Sequence, residues 1–255
     1  MIEIDNLVFG YNKRPLFKGI SVKIEKGEFV GIIGPNGAGK STLLRLLAGT
    51  LRLDQGSIRL KGSELRAISQ KERAKIIGFI PQETHFSLGF KVFDIVLQGR
   101  YPHLGFFRIE TDEDIEIARE ALKKTGVLHL AEENVLKISS GERQLAVIAR
   151  AIAQQPEILL SDEPTSFLDI HHQIEIMTLF KNLNQEGLTI VVVVHDLNLA
   201  ALFCQRLILI SNGEIINSGP PEEILKKDLI ETVYKVNVVE ITHPVRRDPQ
   251  IILNY

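Results

Sequence analysis

Eight consecutive residues near the start of the chain have the types and spacing that bind a chain of phosphates. Residues 34–41 read GPNGAGKS and match G-x-x-x-x-G-K-[ST] at every fixed position. Glycines let backbone N–H groups converge on phosphate oxygens, because no side chain blocks the approach. Lys40 is expected to reach the β- and γ-phosphates, and the Ser41 hydroxyl to ligate Mg²⁺. The residues predicted to hold the nucleotide at this loop are Gly34, Pro35, Asn36, Gly37, Ala38, Gly39, Lys40, Ser41 and Thr42.

Two carboxylates follow an apolar run later in the chain. Residues 158–163 read ILLSDE, so a buried strand would deliver Asp162 to the metal and leave Glu163 beside it. Glu163 is then placed to orient or deprotonate an attacking water, which needs a base within hydrogen-bond reach. An acidic pair after a strand is by itself more typical of a cap or a turn. Together with the phosphate loop, the pair favours hydrolysis over binding alone.

The elements that carry these residues are predicted to be buried strands. Residues 29–33, 158–161 and 189–194 form almost continuous apolar runs, and each ends at glycine or at polar residues. A helical stretch at residues 40–48 follows the first run. Ligands bind at the carboxyl ends of strands in open α/β sheets, so the three strand ends, the third of which leads to His195, are candidates for one site.

Shorter alternating segments predict antiparallel strands towards both ends of the chain. Residues 1–7 and 20–24 alternate between apolar and polar types and are separated by a break at residues 10–12, and residues 56–60 are expected to add another strand. Asn212-Gly213 lies between two apolar segments at residues 207–217, which is a hairpin signal. A last helix is expected around residues 222–227.

Between these regions, residues 82–155 have a helical pattern. Apolar spacing predicts helices at residues 91–98 and 112–124. The second helix has Thr111 as its N-cap, three acidic residues at 112–114 in its first turn and two lysines in its last. We assign the acidic cluster to helix capping in preference to metal binding. The block is interpreted as an inserted helical subdomain.

Composition narrows the class of protein. The 255 residues have a formal net charge of −2, so a uniformly basic surface that coats nucleic acid is not expected. No apolar run is long enough to span a bilayer, and the N-terminal residues have no secretory signal pattern, which predicts a cytosolic location. The single cysteine, Cys204, fits a reducing compartment and is expected to be a buried structural thiol, with a reactive thiol as the alternative.

A third motif lies between the phosphate loop and the carboxylates. Residues 138–144 read ISSGERQ and resemble the signature Leu-Ser-Gly-Gly-Gln/Glu-Arg-Gln of the ATP-binding cassette ATPases. Physically, the segment is a small-residue turn that opens a helix at residues 143–153, with an anion-receptive N-terminus. Ser140 stands where the family usually has glycine. By resemblance, the nucleotide-contacting residues of this segment are Ser139, Ser140, Gly141 and Glu142.

Further matches follow the order of the same family. Tyr11 resembles the aromatic residue that stacks on adenine, although a lone tyrosine in a turn also fits a structural role. Gln82 resembles the loop glutamine that touches Mg²⁺ and senses the membrane partner, so Ser41, Gln82 and Asp162 are the implied metal ligands. His195 resembles the histidine that senses the γ-phosphate and joins Glu163 as an implied catalytic residue. Other histidines, including the pair His171-His172, are expected to have surface or capping roles.

The resemblance implies an α/β P-loop NTPase fold. A mostly parallel central sheet with an N-terminal antiparallel β-subdomain would occupy about residues 1–82 and 156–255, and a helical subdomain about residues 83–155. It also implies a head-to-tail homodimer with two bound ATP molecules. Each ATP, with Mg²⁺, would lie between residues 34–42 of one subunit and residues 139–142 of the other, and the loop at residues 166–169 would cross between subunits.

Within the family, three segments are similar to the importer branch that serves iron-siderophores, haem and cobalamin. They are residues 99–103, 167–173 and 195–200. The similarity implies integral membrane permease subunits, an indirect periplasmic or lipoprotein substrate-binding protein, and a peripheral position on the inner face of the membrane. Iron(III)-siderophore is the first-ranked cargo; the alternatives are haem, cobalamin or molybdate, or a soluble ATPase without a transport role. Residues 101–107 are either a permease-docking surface or an ordinary surface loop.

Overall fold

The computed structural model describes residues 1–12, 14–105 and 109–254. The chain divides into two compact units, one made of Met1–Ile68 and Thr189–Tyr255 and the other of Ser69–Leu188. These bounds differ from the predicted division into a core and a helical subdomain, which stays a prediction.

Strands and helices alternate along much of the chain. The strands are β1 (Ile2–Tyr11), β2 (Arg14–Ile24), β3 (Phe29–Ile33), β4 (Gln55–Leu60), β5 (Ser63–Glu64), β6 (Ile77–Ile80), β7 (Ile158–Asp162), β8 (Thr189–Val193), β9 (Arg206–Ser211), β10 (Glu214–Gly219), β11 (Val238–Thr242) and β12 (Pro249–Leu253). The helices are α1 (Lys40–Leu47), α2 (Gln70–Ile76), α3 (Val92–Leu97), α4 (Asp112–Lys124), α5 (Ser140–Ala153), α6 (Ile170–Gln185), α7 (Leu197–Phe203), α8 (Pro221–Ile224) and α9 (Lys227–Tyr234).

The N-terminal strands form an antiparallel sheet in the order β2-β1-β4-β5, as the alternating segments predicted. The predicted break at residues 10–12 is wrong in its position. Gly10 and Tyr11 still pair with Pro15 and Arg14, so β1 continues up to the turn. Tyr11 is therefore held by a strand and is not part of a loose turn.

The first unit also contains strands in the order β10-β9-β3-β8, of which β9, β3 and β8 are parallel. All five residues of β3 are buried, and β8 and β9 run parallel to β3 on either side. This burial explains why the run is almost wholly apolar. The predicted hairpin is confirmed: β9 and β10 are antiparallel, and Asn212 and Gly213 turn with φ of 51° and 76°, as a type I′ turn requires.

The second unit pairs β6 with β7 in parallel and packs α3, α4 and α5 against one another. Thr111 and Asp114 form a capping box at the start of α4, which confirms capping as the role of the acidic cluster. Asp114 also accepts a hydrogen bond of 2.8 Å from Nε of Arg100, and both side chains are buried. Nη1 of Arg100 donates to the carbonyl oxygen of Ala153, so the pair ties the end of α5 to α4.

Two predicted helix positions need correction. Helix α5 begins at Ser140 and not at Arg143, because Ser139 caps it and forms a capping box with Glu142. The single helix predicted around residues 222–227 is in fact α8 and α9, separated by Leu225 and Lys226, which leave the helical conformation. The hairpin of β11 and β12 that follows was not predicted.

Cys204 is buried, as predicted. Its Sγ lies 2.8 Å from the position that a Cβ on Gly31 would occupy, so the thiol packs directly against β3. Burial raises the pKa of the Cys204 thiol, which opposes formation of a thiolate. The thiol is therefore part of the packing of the first unit.

Among the described residues, the helices are all too short or too polar to cross a bilayer.

Candidate active site

The phosphate loop connects β3 to α1 in the first unit. Gly34 and Gly39 have φ of 148° and 103°, in the region that favours glycine. A Cβ on Gly34 would lie 2.0 Å from the carbonyl oxygen of Ile210, and one on Gly39 would lie 2.7 Å from the ring of Phe17. Both positions therefore exclude side chains through backbone conformation and through space. The packing around the loop therefore requires glycine at both positions.

Lys40 is buried, and its ammonium group lies against the loop. Its Nζ donates to the carbonyl oxygens of Gly34 at 2.8 Å and Pro35 at 3.0 Å. Helix α1 begins after Gly39 without a side-chain cap, so no side chain covers its N-terminal amides through a capping bond. A lysine ammonium and a helix N-terminus both attract anions. The arrangement suits a chain of phosphates.

Tyr11 lies beside the first turn of α1. Its Oη is 3.4 Å from Oγ1 of Thr42, and its ring packs edge-on against Phe9 at a centroid distance of 4.9 Å. The ring is 44% exposed, so one part of it faces solvent. A partly exposed aromatic ring next to a phosphate loop can stack on a nucleobase.

His195 lies at the same edge of the parallel strands as the phosphate loop. Ile32 of β3 pairs with Val193 of β8, so Gly34 and His195 each lie two residues beyond this pair. His195 is exposed. Asp196 fixes the adjacent backbone by accepting hydrogen bonds at the start of α7. The sheet register therefore brings together two of the predicted phosphate-binding positions.

The carboxylates occupy the end of β7 in the second unit. Asp162 is the last residue of the strand and is 1% exposed, and Glu163 is 8% exposed with φ of 48°. Oε2 of Glu163 accepts hydrogen bonds from Nε2 of Gln82 at 2.6 Å and from Oγ of Ser166 at 3.1 Å. A non-glycine residue with positive φ is uncommon and recurs at functional sites. The carboxylate of Glu163 is thus held in one place by two donors.

The contact between Gln82 and Glu163 was not predicted. Gln82 follows β6, and Ile80 of β6 pairs in parallel with Ser161 of β7, so the register places both residues at the same edge. The sequence could have indicated this contact only through a prediction that β6 and β7 pair in parallel. The role of Ser166 in holding the carboxylate was also missed.

The signature segment forms the first turn of α5. Ser139 Oγ accepts a hydrogen bond from the backbone N of Glu142 at 3.2 Å, and the Glu142 carboxylate accepts one from the backbone N of Ser139 at 2.8 Å. Hydrogen bonds to the carboxylate from the side chain and the backbone N of Ser139 lower the pKa of Glu142 and outweigh the opposing effect of burial. Ser139 and Ser140 are exposed, whereas Gly141 is buried.

One open cavity of about 210 Å³ joins these residues of the second unit. Its lining includes Gln82, Ser140, Glu163 and Phe167. The structure therefore brings the start of α5 and the predicted catalytic carboxylate to a common cavity. Phe167 is 87% exposed and has φ of 63°.

The predicted docking segment at residues 101–107 is only partly described. Tyr101 is 59% exposed and Leu104 is buried. Phe106 and Phe107 lie outside the described residues. The docking surface and the ordinary loop both stay predictions for this segment.

Comparison with known sequences gives extensive matches. The ABC transporter family model matches residues 17–166. The chain is 39% identical to the ferric enterobactin transport ATP-binding protein FepC of Escherichia coli (strain K12), over 97% of this chain and 92% of that protein. It is 38% identical to the hemin import ATP-binding protein HmuV of Gloeobacter violaceus, over 94% and 89%. It is also 40% identical to the uncharacterized ABC transporter ATP-binding protein YvrA of Bacillus subtilis (strain 168), over 99% of this chain and only 58% of that relative.

Comparison with solved structures supports the predicted α/β fold. An inward-facing metal-chelate type ABC transporter matches with a TM-score of 0.88 and 30% identity, over 100% of this chain and 97% of that chain. A dimeric ATP-binding cassette in a post-hydrolysis state, bound to ADP and Pi, matches with a TM-score of 0.76 and 30% identity, over 87% and 99%. Both matches extend well beyond the phosphate loop.

Proposed function

We propose that this chain, which belongs to the ABC transporter family, binds and hydrolyses ATP to drive uptake of a metal chelate. The observation that carries hydrolysis is the buried Glu163 carboxylate, held by Gln82 and Ser166 at the end of β7. A site that only binds nucleotide does not require a base in this position. Transport is supported by the similarity to FepC and to the metal-chelate type transporter over nearly the whole chain.

In the proposed reaction, residues 34–42 bind the phosphates and Lys40 exchanges its loop carbonyl partners for phosphate oxygens. Tyr11 stacks on adenine, and His195 contacts the γ-phosphate. Glu163 accepts the proton of the attacking water.

Mg²⁺, when bound, would neutralise charge that develops on the phosphates. The proposed ligands are Ser41, Gln82 and Asp162. Hydroxyl, amide and carboxylate oxygens are the donors that Mg²⁺ prefers, and a buried carboxylate such as Asp162 is stabilised by a cation. Gln82 donates through Nε2 to Glu163, which leaves its Oε1 as the atom suited to a metal. The donor chemistry fits the ion.

We further propose a head-to-tail homodimer in which residues 139–142 of one subunit contact the ATP bound by the other. The dimeric cassette that this chain resembles supports this assembly. The proposed partners are integral membrane permease subunits, with a substrate-binding protein acting through them. The chain would then lie on the cytoplasmic face of the membrane, bound to the permease.

For the cargo we rank an iron(III)-siderophore first, because FepC is named for ferric enterobactin transport. Haem is the second candidate, and the similarity to HmuV favours it. The cargo contacts the permease and the binding protein in such a system, so this chain would serve either one.

The role of Glu163 is tested by Glu163→Gln in the purified chain and in the chain reconstituted with its permease. We expect ATP affinity to be retained and hydrolysis to slow by about 10²-fold or more, comparable to the loss of one preorganised transition-state contact. Fluorescent nucleotide titration and phosphate release measure the two quantities. Glu175→Gln is the matched control, since Glu175 is an exposed carboxylate on α6. Near-normal turnover of Glu163→Gln would contradict the assigned role.

Transport is tested in a strain that lacks this gene. Uptake of radiolabelled iron from a siderophore, and of haem, would be compared with and without the wild-type gene and the Glu163→Gln variant. We expect the wild type alone to restore siderophore-iron uptake. Restoration of haem uptake only would favour the second cargo, and ATPase activity indifferent to the permease would favour a soluble role.

A further inference from the structure

His172 packs on the start of the signature helix. A Cβ added to Gly141 would lie 2.3 Å from Cδ2 and 2.5 Å from Nε2 of the His172 ring. Atoms of this kind do not approach so closely, so the ring occupies the space that any side chain at Gly141 would need. Position 141 therefore requires glycine, because the His172 ring of the same subunit leaves no space for a side chain.

The opposite side of the imidazole is fixed by Asp169. Nδ1 of His172 is 2.9 Å from Oδ1 of Asp169, and the same oxygen accepts a hydrogen bond from the backbone N of His172 at 2.9 Å. Hydrogen bonds from the His172 backbone and ring lower the pKa of Asp169, so the carboxylate is ionised and accepts a hydrogen bond from Nδ1–H of His172. The ring is thus held between the N-cap of α6 and the first turn of α5.

We infer that His172 is a positioning residue that sets the place of the signature segment relative to the loop at residues 166–169. The inference rests on the proposed function, in which residues 139–142 contact the ATP bound by the partner subunit. Contacts to phosphate tolerate displacements of only about 0.5 Å. Removal of the ring would let the first turn of α5 shift, while the phosphate loop of the first unit would keep its own affinity for nucleotide.

The first test uses the Glu163→Gln chain, which is expected to keep ATP bound, and adds His172→Ala. We expect the ATP concentration for half-maximal dimerisation to rise by about tenfold, comparable to the loss of one hydrogen bond to a charged group. Dimerisation would be followed by sedimentation velocity, and nucleotide affinity of the monomer by fluorescent titration. The nucleotide affinity of the monomer should change by less than about twofold, which corresponds to less than about 0.5 kcal/mol.

The control is Glu175→Ala, which removes an exposed side chain from the same helix, because the ring of His171 itself packs edge-on against that of His172. His172→Asn separates the two contacts, since its amide can still donate to Asp169 but cannot cover Gly141. We expect His172→Asn to shift dimerisation as His172→Ala does. Wild-type dimerisation in His172→Asn would overturn the inference, because the link to Asp169 alone would then be sufficient.

The second test does not depend on nucleotide. Gly141→Ala should lower the thermal unfolding midpoint in the wild type, and the decrease should be smaller in the His172→Ala background, because the ring no longer occupies the space. Equal decreases in both backgrounds would overturn the contact. If the Glu163→Gln chain binds ATP but never dimerises, the proposed assembly fails; if it dimerises and His172→Ala leaves the ATP requirement unchanged, only the present inference fails.

Discussion

Gly39→Ala is expected to damage both stability and nucleotide binding, and the structure supplies a matched control. Gly39 and Gly187 have nearly the same φ, 103° and 102°. A Cβ at Gly187 meets no heavy atom within 4 Å, whereas a Cβ at Gly39 would lie 2.7 Å from the Phe17 ring. The two substitutions therefore share the conformational cost and differ in the steric cost.

The magnitudes follow from these two terms. An alanine forced into the left-handed region costs about 1–2 kcal/mol. Phe17 is 0% exposed and cannot move aside into solvent, so overpacking at Gly39 adds about 1–3 kcal/mol. We expect Gly187→Ala to lower the free energy of unfolding by the first amount only, and Gly39→Ala by roughly the sum, about 2–5 kcal/mol.

Urea unfolding followed by circular dichroism measures the difference in stability, and fluorescent ATP titration measures binding. Gly39→Ala should weaken nucleotide binding by about tenfold or more, because it displaces backbone amides from charged phosphate oxygens. Gly187→Ala should bind nucleotide as the wild type does. Equal destabilisation by the two variants, or unchanged affinity in Gly39→Ala, would refute the packing argument.

Two further predictions concern the buried pair of Arg100 and Asp114. Arg100→Met should lower the free energy of unfolding by about 3–5 kcal/mol, since it leaves a buried carboxylate without its cation. Lys124→Met, which breaks the exposed pair with Glu186, should lower it by less than about 1 kcal/mol. Urea unfolding measures both, and equal losses would contradict the effect of burial. Burial would raise the pKa of Asp114, but the hydrogen bonds from Arg100 and Thr111 outweigh it, so the pKa lies below its ordinary value of 3.8. The wild type should therefore be more stable than Asp114→Asn at pH values above 3.8, and this difference should disappear as the pH falls through the lowered pKa. A difference in unfolding midpoint that stays constant from pH 6 to the acid transition would contradict this linkage.

The parts of the fold that the sequence predicted are those set by local patterns. The strand β3 could be recognised because burial on both faces produces an unbroken apolar run. The start of α4 could be recognised because Thr111 and its acidic first turn are a local capping pattern. Asn212-Gly213 likewise determines its turn by its own backbone preference.

One error arose where a local signal was available but a different pattern was followed. Ser139 and Glu142 have the capping-box spacing, which places the helix start at Ser140, whereas the signature motif was interpreted as a turn up to Arg143. The start of α5 was therefore predictable in principle. The hairpin of β11 and β12 was not, because β11 buries Val238 but leaves the apolar Val239 and Ile241 exposed, so burial does not follow an apolar alternation along the strand.

Other features could not be predicted because they depend on contacts between residues far apart in the chain. Arg100 reaches Asp114 and Ala153, and His172 covers Gly141, only after the helices of the second unit have packed. A motif specifies which side chains can do chemistry, but it does not specify which neighbours hold them. Positioning residues are therefore found from the structure.

Gln82 shows how such a contact changes a functional argument. By resemblance, its side-chain oxygen was assigned to Mg²⁺ and its loop to contact with the membrane partner. The structure adds that its nitrogen donates to Glu163 at 2.6 Å. Because one amide group has both a donor and an acceptor end, movement of the loop at Gln82 would alter a proposed metal ligand and the hydrogen bonding of the proposed base together. In the proposed assembly, a permease that displaces this loop would control hydrolysis through a single side chain.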